Sequence, residues 1–172
     1  MSPTTIARGA LLAAVFALAF DVRAVELEPF DARTPAALRA AHAGKPFVLV
    51  FWSTACEPCR EELPLWASLR RRYPGVPIHL VHLSIDGSDP REEAGQLLAG
   101  LAASGLRTAR MSDDVPERVF HAVDPEWRGE LPAAWFFDSA HRNERRLGRV
   151  DAAWAESWMK ARAREARTGR GR

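Results

Sequence analysis

The chain has 172 residues, of which 47% are hydrophobic and 27% are charged, and its formal net charge at pH 7 is +2. This length is enough for one domain with a substantial core, and the composition is that of a globular protein, which excludes an intrinsically disordered chain. The small net charge gives no reason to expect a nucleic-acid partner, since such proteins carry clustered positive charge.

The N-terminal residues differ in composition from the rest of the chain. Arg8 precedes an uninterrupted apolar run over residues 10–20, and Ala24 follows two positions after Val22. A basic start, a short apolar stretch and an exit with small residues are typical of a secretory signal. Because the run is shorter than the roughly 20 residues that span a bilayer, we predict a cleaved signal peptide over residues 1–24, in preference to a membrane anchor or a buried first helix. The expected compartment is the periplasm.

Apolar runs and turn residues predict alternating helices and strands after this signal. Residues 25–44 are expected to form a lead-in with a short helix, since Thr-Pro and Gly mark its two ends. The run PFVLVFW is continuously apolar and predicts a strand that is covered on both faces. A helix over residues 57–73, kinked at Pro64, and a second buried strand over residues 76–86 are expected to follow.

The second half of the chain continues the alternation with shorter elements. They are a helix over residues 91–105, a strand near 108–111, a short helix over 115–123, strands formed by PAAWFFD and RNERRLGRV, and a last helix that Asp151 caps. This order predicts an α/β fold with a mixed central sheet and helices on both faces. The predicted domain covers residues 45–166, and residues 167–172 form a basic tail.

Both cysteines of the chain lie at the predicted junction between a buried strand and a helix. Cys56 and Cys59 are separated by two residues, so a disulfide between them closes almost no loop and contributes little stability. The N-terminus of a helix carries unpaired N–H groups and a partial positive charge, which stabilise a thiolate. We therefore predict that Cys56 attacks substrate disulfides and that Cys59 resolves the mixed disulfide, without a metal or other cofactor.

Three further residues of this helix are expected to influence the sulfurs. Pro58 fits the first helical turn and restricts it, and the negative charge of Glu57 partly offsets the helix dipole. Glu62 follows Cys59 by three positions and so shares its helical face. A carboxyl group buried there would have a raised pKa and could pass protons to and from Cys59, whereas the alternative is an ordinary exposed glutamate.

Half of a zinc site is the other interpretation of two cysteines at this spacing. A closed structural site needs four ligands, and the chain has no second Cys-x-x-Cys. The five histidines are scattered along the sequence, at positions 42, 79, 82, 121 and 141. His79 and His82 are three apart on one predicted strand, so they are expected to face opposite sides of the sheet. Redox chemistry is therefore favoured over a metal site.

The segment VLVFWSTACEPCREELP resembles the active-site segment of the thioredoxin superfamily. It is most similar to the exported TlpA/ResA-like thiol–disulfide oxidoreductases, in which Phe-Trp ends a strand and Cys-x-x-Cys and Glu-x-Pro follow. The resemblance covers about residues 45–165 and implies a thioredoxin-like three-layer sandwich. It also implies a reductant of protein disulfides, for example in cytochrome c maturation, and a membrane electron donor of the DsbD/CcdA type. In that group the glutamate that matches Glu62 takes part in the proton chemistry of the cysteines.

A second segment, GELPAAWFFD, resembles the cis-proline segment of the same family. By this resemblance the Leu131–Pro132 peptide bond is cis, and Pro132 lies against Cys56. Proline has no N–H to donate, and the exposed backbone of Leu131 would pair with an extended substrate strand. The expected substrate-binding residues are therefore Leu131, Pro132, Glu57 and Pro58.

The chain departs from this family at two positions that precede the cysteines. Ala55 stands where the family usually has a tryptophan, and Val50 stands where ordinary thioredoxins have a buried acid. Two other hypotheses therefore stay open, a copper-handling module and a non-catalytic binding domain on the same fold. Copper handling would require Cys-x-x-x-Cys, which is one residue longer than the spacing here, and a binding domain is favoured by Ala55.

Overall fold

The computed structural model describes residues 27–84, 91–101, 104–113 and 115–168. The predicted signal peptide and most of the predicted basic tail lie outside these residues. The described elements are β1 (Glu28–Phe30), α1 (Thr34–Ala41), β2 (Phe47–Trp52), α2 (Glu57–Arg72), β3 (Ile78–His82), α3 (Arg91–Ala99), β4 (Arg107–Met111), α4 (Pro116–Val123), β5 (Ala133–Phe137), β6 (Asn143–Leu147) and α5 (Ala152–Thr168). None of these helices combines the length and the apolar character that crossing a bilayer requires.

The strands form one mixed sheet in the order β1-β4-β3-β2-β5-β6. The first four strands of this order are parallel, whereas β5 pairs antiparallel with β2 and β6 pairs antiparallel with β5. β2 lies inside the sheet, and all of its residues are buried, as the uninterrupted apolar run predicts. The mixed α/β sheet expected from the element order is confirmed.

Alternate residues of β2 face two hydrophobic cores, one on each side of the sheet. The even-numbered side chains, from Val48 to Trp52, join a core to which α2, α3 and α5 contribute. The odd-numbered side chains, from Phe47 to Phe51, join a core to which α1 and α4 contribute. Helices therefore cover both faces, and the end of β2 holds the start of α2 against the first core.

The sequence pattern does not predict the edge strand β1. It is three residues long, and its first two residues are exposed, so no alternation of apolar and polar residues marks it. It forms because it pairs with β4, with Phe30 opposite Met111. Phe30 is buried and contacts the ring of Phe51 edge-on, with the ring centroids 5.6 Å apart. Tertiary contacts thus decide this element.

The segment between α4 and β5 packs an aromatic side chain onto the sheet. Trp127 is buried, and its ring centroid lies 4.5 Å from that of Phe51 and 4.9 Å from that of Trp135. Its indole N–H donates a hydrogen bond to the carbonyl oxygen of Glu130 at 3.1 Å. These contacts fix the path of the chain that leads into Leu131–Pro132.

Gly129, in this same segment, has a φ of +94°, and a Cβ there would lie 2.7 Å from the ring of Phe120. Gly44 has a φ of +70° with nothing within 4 Å of the same position. We expect Gly44→Ala to lower the free energy of unfolding by about 1 kcal/mol through backbone strain alone, and Gly129→Ala to lower it by about 2 kcal/mol or more. Urea unfolding of both variants measures the difference, and equal losses would show that the Phe120 ring moves aside without cost.

Candidate active site

Cys56 and Cys59 lie at the start of α2, four residues after β2 ends. Cys56 is the N-cap residue of the helix, and Pro58 is the second helical residue, where its missing N–H costs nothing. The two sulfurs form a disulfide, with the Cα atoms 5.2 Å apart. The N–H of Cys59 donates to the sulfur of Cys56 at 3.3 Å. The predicted position of Cys56 at a helix N-terminus is confirmed.

The two cysteines differ in exposure. Cys56 is half-buried, whereas Cys59 is 1% exposed. Ala55 and Glu57, on either side of Cys56, are exposed. An approaching disulfide therefore reaches the sulfur of Cys56 before that of Cys59. In the reduced protein, the N–H groups at the start of α2 are placed to stabilise negative charge on Cys56.

Glu62 lies one helical turn beyond Cys59 and is 4% exposed. Its carboxylate accepts a hydrogen bond from the N–H of Val150, just before α5. Burial raises the pKa of Glu62, and the hydrogen bonds from Val150 and Trp66 and the charge of Arg149 act in the opposite direction. The predicted burial of Glu62 is confirmed, and the alternative of an exposed glutamate is wrong.

The Leu131–Pro132 peptide bond is cis, as the resemblance implies. Pro132 is buried, and its carbonyl oxygen accepts a hydrogen bond from the N–H of Gly148 at 2.8 Å. Leu131 is half-buried and packs, like Cys56, at the margin of the core beneath α2. Residues 148–150 therefore contact both the cis-proline segment, through Gly148, and the buried carboxylate of Glu62 on α2.

Two residues that we expect to contact the substrate lie beside Cys56, in the first turn of α2. Glu57 is exposed, and Pro58 is half-buried. Val50, at the position of the buried acid of ordinary thioredoxins, is 1% exposed and belongs to the apolar core beneath α2. With an apolar residue at position 50, Glu62 is the buried carboxyl group on α2, three residues after Cys59.

His82 contacts the active-site loop, which the sequence pattern does not predict. It is the last residue of β3, it is 2% exposed, and its Nε2 accepts a hydrogen bond from the N–H of Thr54 at 3.1 Å. Its ring lies edge-on to Trp52, with the centroids 4.9 Å apart. The parallel pairing of β2 and β3 creates this contact, since both strands end at the same edge of the sheet. The available indication in the sequence was a histidine at the end of the strand that follows the cysteine-bearing helix.

Three histidines that are far apart in the sequence meet at the opposite end of the sheet. The Nε2 atoms of His42 and His79 are 2.9 Å apart, and the Nε2 of His141 lies 3.0 Å from the carbonyl oxygen of His42. Burial, with the nearby charges, lowers the pKa of His79 to about 3. Three of the five histidines that are scattered along the sequence therefore come together in the fold.

His79 and His82 face opposite sides of the sheet, as their spacing predicts. His79 packs against Phe47 in one core, and His82 packs against Trp52 in the other. Among the residues that the structure describes, no group of three or more His, Cys, Asp or Glu side chains is arranged to hold a metal ion.

Comparison with sequences finds a short match at moderate identity. No family model matches the chain. The thiol–disulfide oxidoreductase ResA of Oceanobacillus iheyensis is 37% identical over 46 residues, which are 27% of this chain and 24% of that relative. The match thus spans about a quarter of the relative's length.

Solved structures share the fold over most of the chain, at lower sequence identity. A secreted disulfide oxidoreductase of Mycobacterium tuberculosis, described as homologous to E. coli DsbE, has a TM-score of 0.56 at 17% identity, with 71% of this chain and 85% of that chain covered. A thioredoxin-family thiol:disulfide interchange protein of Chlorobium tepidum has a TM-score of 0.55 at 18% identity, with 73% and 84% covered. These likenesses confirm the thioredoxin-like fold. The chain therefore has a thioredoxin-like fold, and over 46 residues it is similar in sequence to the thiol–disulfide oxidoreductase ResA.

Proposed function

We propose that the protein is an exported thiol–disulfide oxidoreductase that reduces disulfides in protein substrates. The observation that carries this proposal is the placement of Cys56 and Cys59. The first sulfur is accessible at a helix N-terminus, and the second is buried one turn behind it. The redox activity named for ResA and the secretion named for the Mycobacterium tuberculosis relative support the proposal. The signal expected over residues 1–24 supports an extracytoplasmic, periplasmic location.

The exchange proceeds in two displacements at sulfur. The Cys56 thiolate attacks one sulfur of the substrate disulfide, and the other substrate sulfur leaves as a thiolate that takes up a proton. Cys59 then loses its proton and attacks the sulfur of Cys56, which releases the second substrate sulfur and forms the Cys56–Cys59 disulfide. Two electrons pass from the protein to the substrate, and the chemistry needs no metal.

Glu62 is the proton acceptor for Cys59 in this scheme. A buried thiol must lose its proton before it attacks, and an apolar environment opposes that loss unless a base is close. Glu62 lies on the same helical face, and its burial raises the pKa of its carboxyl group, which makes the carboxylate a stronger base. The carboxylate takes the proton directly or through a water molecule.

The cis-proline segment and the first turn of α2 hold the substrate. The backbone of Leu131 pairs with an extended segment of the substrate, and Pro132 presents no N–H that would compete. Glu57 and Pro58 contact the substrate beside Cys56. As in the family that the chain resembles, the substrate class is a disulfide-bearing protein, such as apocytochrome c, and the electrons come from a membrane protein of the DsbD/CcdA type.

Trapping with Cys59→Ser tests this function. The variant keeps the attacking thiol but lacks the resolving one, so its mixed disulfide with a substrate should persist. The reduced variant, expressed with its signal in a periplasm-bearing host, is expected to form reducible adducts that non-reducing gels and mass spectrometry assign to Cys56. The matched control is the Cys56→Ser, Cys59→Ser double variant, which should form none. Failure of Cys59→Ser to trap any protein disulfide would contradict the proposed activity.

The proton role of Glu62 gives a prediction about the rate at which Cys59 resolves the mixed disulfide. Replacing Glu62 with glutamine removes the titrating group but keeps an oxygen that can accept the N–H of Val150. The rate of resolution is expected to fall about tenfold near neutral pH, since general-base catalysis typically contributes at least this much. Stopped-flow measurement of the second displacement gives the rate.

Glu61 provides the control for this substitution. It is adjacent in sequence, exposed, and paired with Arg149 on the protein surface. Glu61→Gln should leave the resolution rate within about twofold of the wild-type rate, since exposed pairs contribute little. Equal effects of the two substitutions would show that Glu62 has no special part in proton transfer.

A further inference from the structure

The loop between β2 and α2 sets the position of the attacking sulfur. Ser53 and Thr54 are buried, and each following N–H of the loop has a defined partner. The N–H of Ala55 donates to the Ser53 hydroxyl at 3.3 Å, and the N–H of Cys56 donates to the Ser53 carbonyl oxygen at 3.2 Å. The N–H of Thr54 instead donates to a side chain from another strand, the Nε2 of His82.

The protonation state of His82 follows from this hydrogen bond. A ring nitrogen that accepts an N–H carries no proton of its own, so the imidazole is neutral and its proton is on Nδ1. The ring is held edge-on to Trp52 at the end of β3. The hydrogen bond thus joins the loop after β2 to the His82 ring at the end of the neighbouring strand β3.

A packing role alone does not account for this side chain. His82 is buried where β3 faces an apolar core, and burying an imidazole there has a desolvation cost that an aromatic hydrocarbon of similar size would avoid. The hydrogen bond to Thr54 offsets that cost, and without an acceptor the buried N–H would be left unpaired. The hydrogen bond to the loop, rather than packing in the core, therefore accounts for an imidazole at this position.

We propose that His82 is a positioning residue for the thiol–disulfide exchange, and that its neutral imidazole holds the loop that places the Cys56 sulfur over the start of α2. This inference rests on the proposed function. Thr54 is two residues before Cys56, so a shift of the loop changes the 3.3 Å contact between the Cys59 N–H and the Cys56 sulfur. In the reduced protein, the same N–H and the helix N-terminus would favour the thiolate of Cys56.

Three variants separate positioning from packing. His82→Phe keeps an aromatic ring but removes the acceptor, and His82→Gln keeps an acceptor oxygen. His121→Gln is the control, because it makes the same kind of replacement at an exposed histidine on α4. If His82→Phe does not fold, the flexible His82→Met takes its place. The readouts are the rate of Cys56 alkylation by iodoacetamide across pH, and the equilibrium constant with glutathione.

We expect His82→Phe to alkylate about tenfold more slowly at pH 7, since small displacements of a reacting group have effects of this order or larger. Its alkylation profile should move to higher pH, and its glutathione equilibrium should move toward the disulfide, because the reduced form loses thiolate stabilisation. His82→Gln should recover most of the alkylation rate and of the glutathione equilibrium, and His121→Gln should change either by less than about twofold.

Two results would overturn the inference. One is a folded His82→Phe or His82→Met protein with the wild-type alkylation profile and glutathione equilibrium, even if it is less stable to urea. The other is a His82→Gln protein that is as impaired as His82→Phe. Both readouts use small molecules, so they decide the role of His82 even if the wild-type protein fails to trap or reduce a protein substrate, which would contradict the proposed function alone.

Discussion

This protein is expected to catalyse the reduction of insulin with dithiothreitol as the electron donor. Replacing Cys56 with serine should lower the catalysed rate by about three orders of magnitude or more. A serine hydroxyl stays protonated at neutral pH, and Cys59, which is 1% exposed, cannot replace the lost nucleophile. The turbidity of precipitating insulin chains measures the rate. The variant should match the protein-free control, while its fold, read by circular dichroism, stays that of the wild-type protein.

Cys59→Ser is the informative partner of this variant. It should also fail to complete turnover, but it should consume one equivalent of an aromatic disulfide such as 5,5′-dithiobis(2-nitrobenzoate) rapidly through Cys56. Cys56→Ser should react slowly with the same reagent. If Cys56→Ser instead reacted fast and Cys59→Ser slowly, the assignment of attacking and resolving sulfurs would be reversed.

The second large effect is expected on stability in acid. In the unfolded chain His79 takes up a proton near pH 6.5, whereas in the folded protein it does so only at about 3, because burial and then the nearby His42, Arg107 and Arg70 oppose its charge. The unfolded state therefore binds more protons between these values. The contribution of His79 to stability is complete above about pH 6.5 and is lost as pH falls toward 3. The expected loss relative to pH 7 is about 2 kcal/mol at pH 5 and about 4 kcal/mol at pH 3.5.

His79→Gln isolates this contribution from the carboxyl groups that also titrate in acid. Glutamine can still hydrogen-bond to His42, but it cannot take up a proton. The free energy of unfolding of the variant, from urea titrations at several pH values, should fall less between pH 7 and pH 5 than that of the wild-type protein. His121→Gln, which replaces an exposed histidine on α4, should leave the wild-type dependence unchanged. Parallel curves for wild type and His79→Gln would contradict the account.

Local sequence signals predicted the central part of the fold well. β2 is one unbroken apolar run, so its burial on both faces follows from the residues themselves. The start of α2 follows from Pro58, which suits the first helical turn, and the last helix from Asp151, whose side chain accepts the N–H of Trp154. The cis bond before Pro132 was predicted from resemblance, because most bonds before proline are trans.

Features that depend on pairing between distant segments could not be predicted in this way. β1 exists because β4 offers it a partner, and the meeting of His42 with His79 joins a helix end to a strand 37 residues away. The contact of His82 with Thr54 depends on the register of β2 against β3, which one sequence does not specify. Glu62 lies between these cases. Its helical face follows from its spacing, but the Val150 N–H that meets its carboxylate comes from 88 residues away.

The central claim is that Cys56 is an accessible thiolate at the start of α2, and alkylation of the reduced protein tests it most directly. Iodoacetamide labelling across pH 4 to 10, with each cysteine quantified by mass spectrometry, gives the titration of each thiol separately. Cys56 should be labelled first, with a midpoint well below the value of about 8.5 for a free cysteine, while Cys59 stays protected. Labelling of Cys59 before Cys56, or a Cys56 midpoint at or above the free value, would contradict the account.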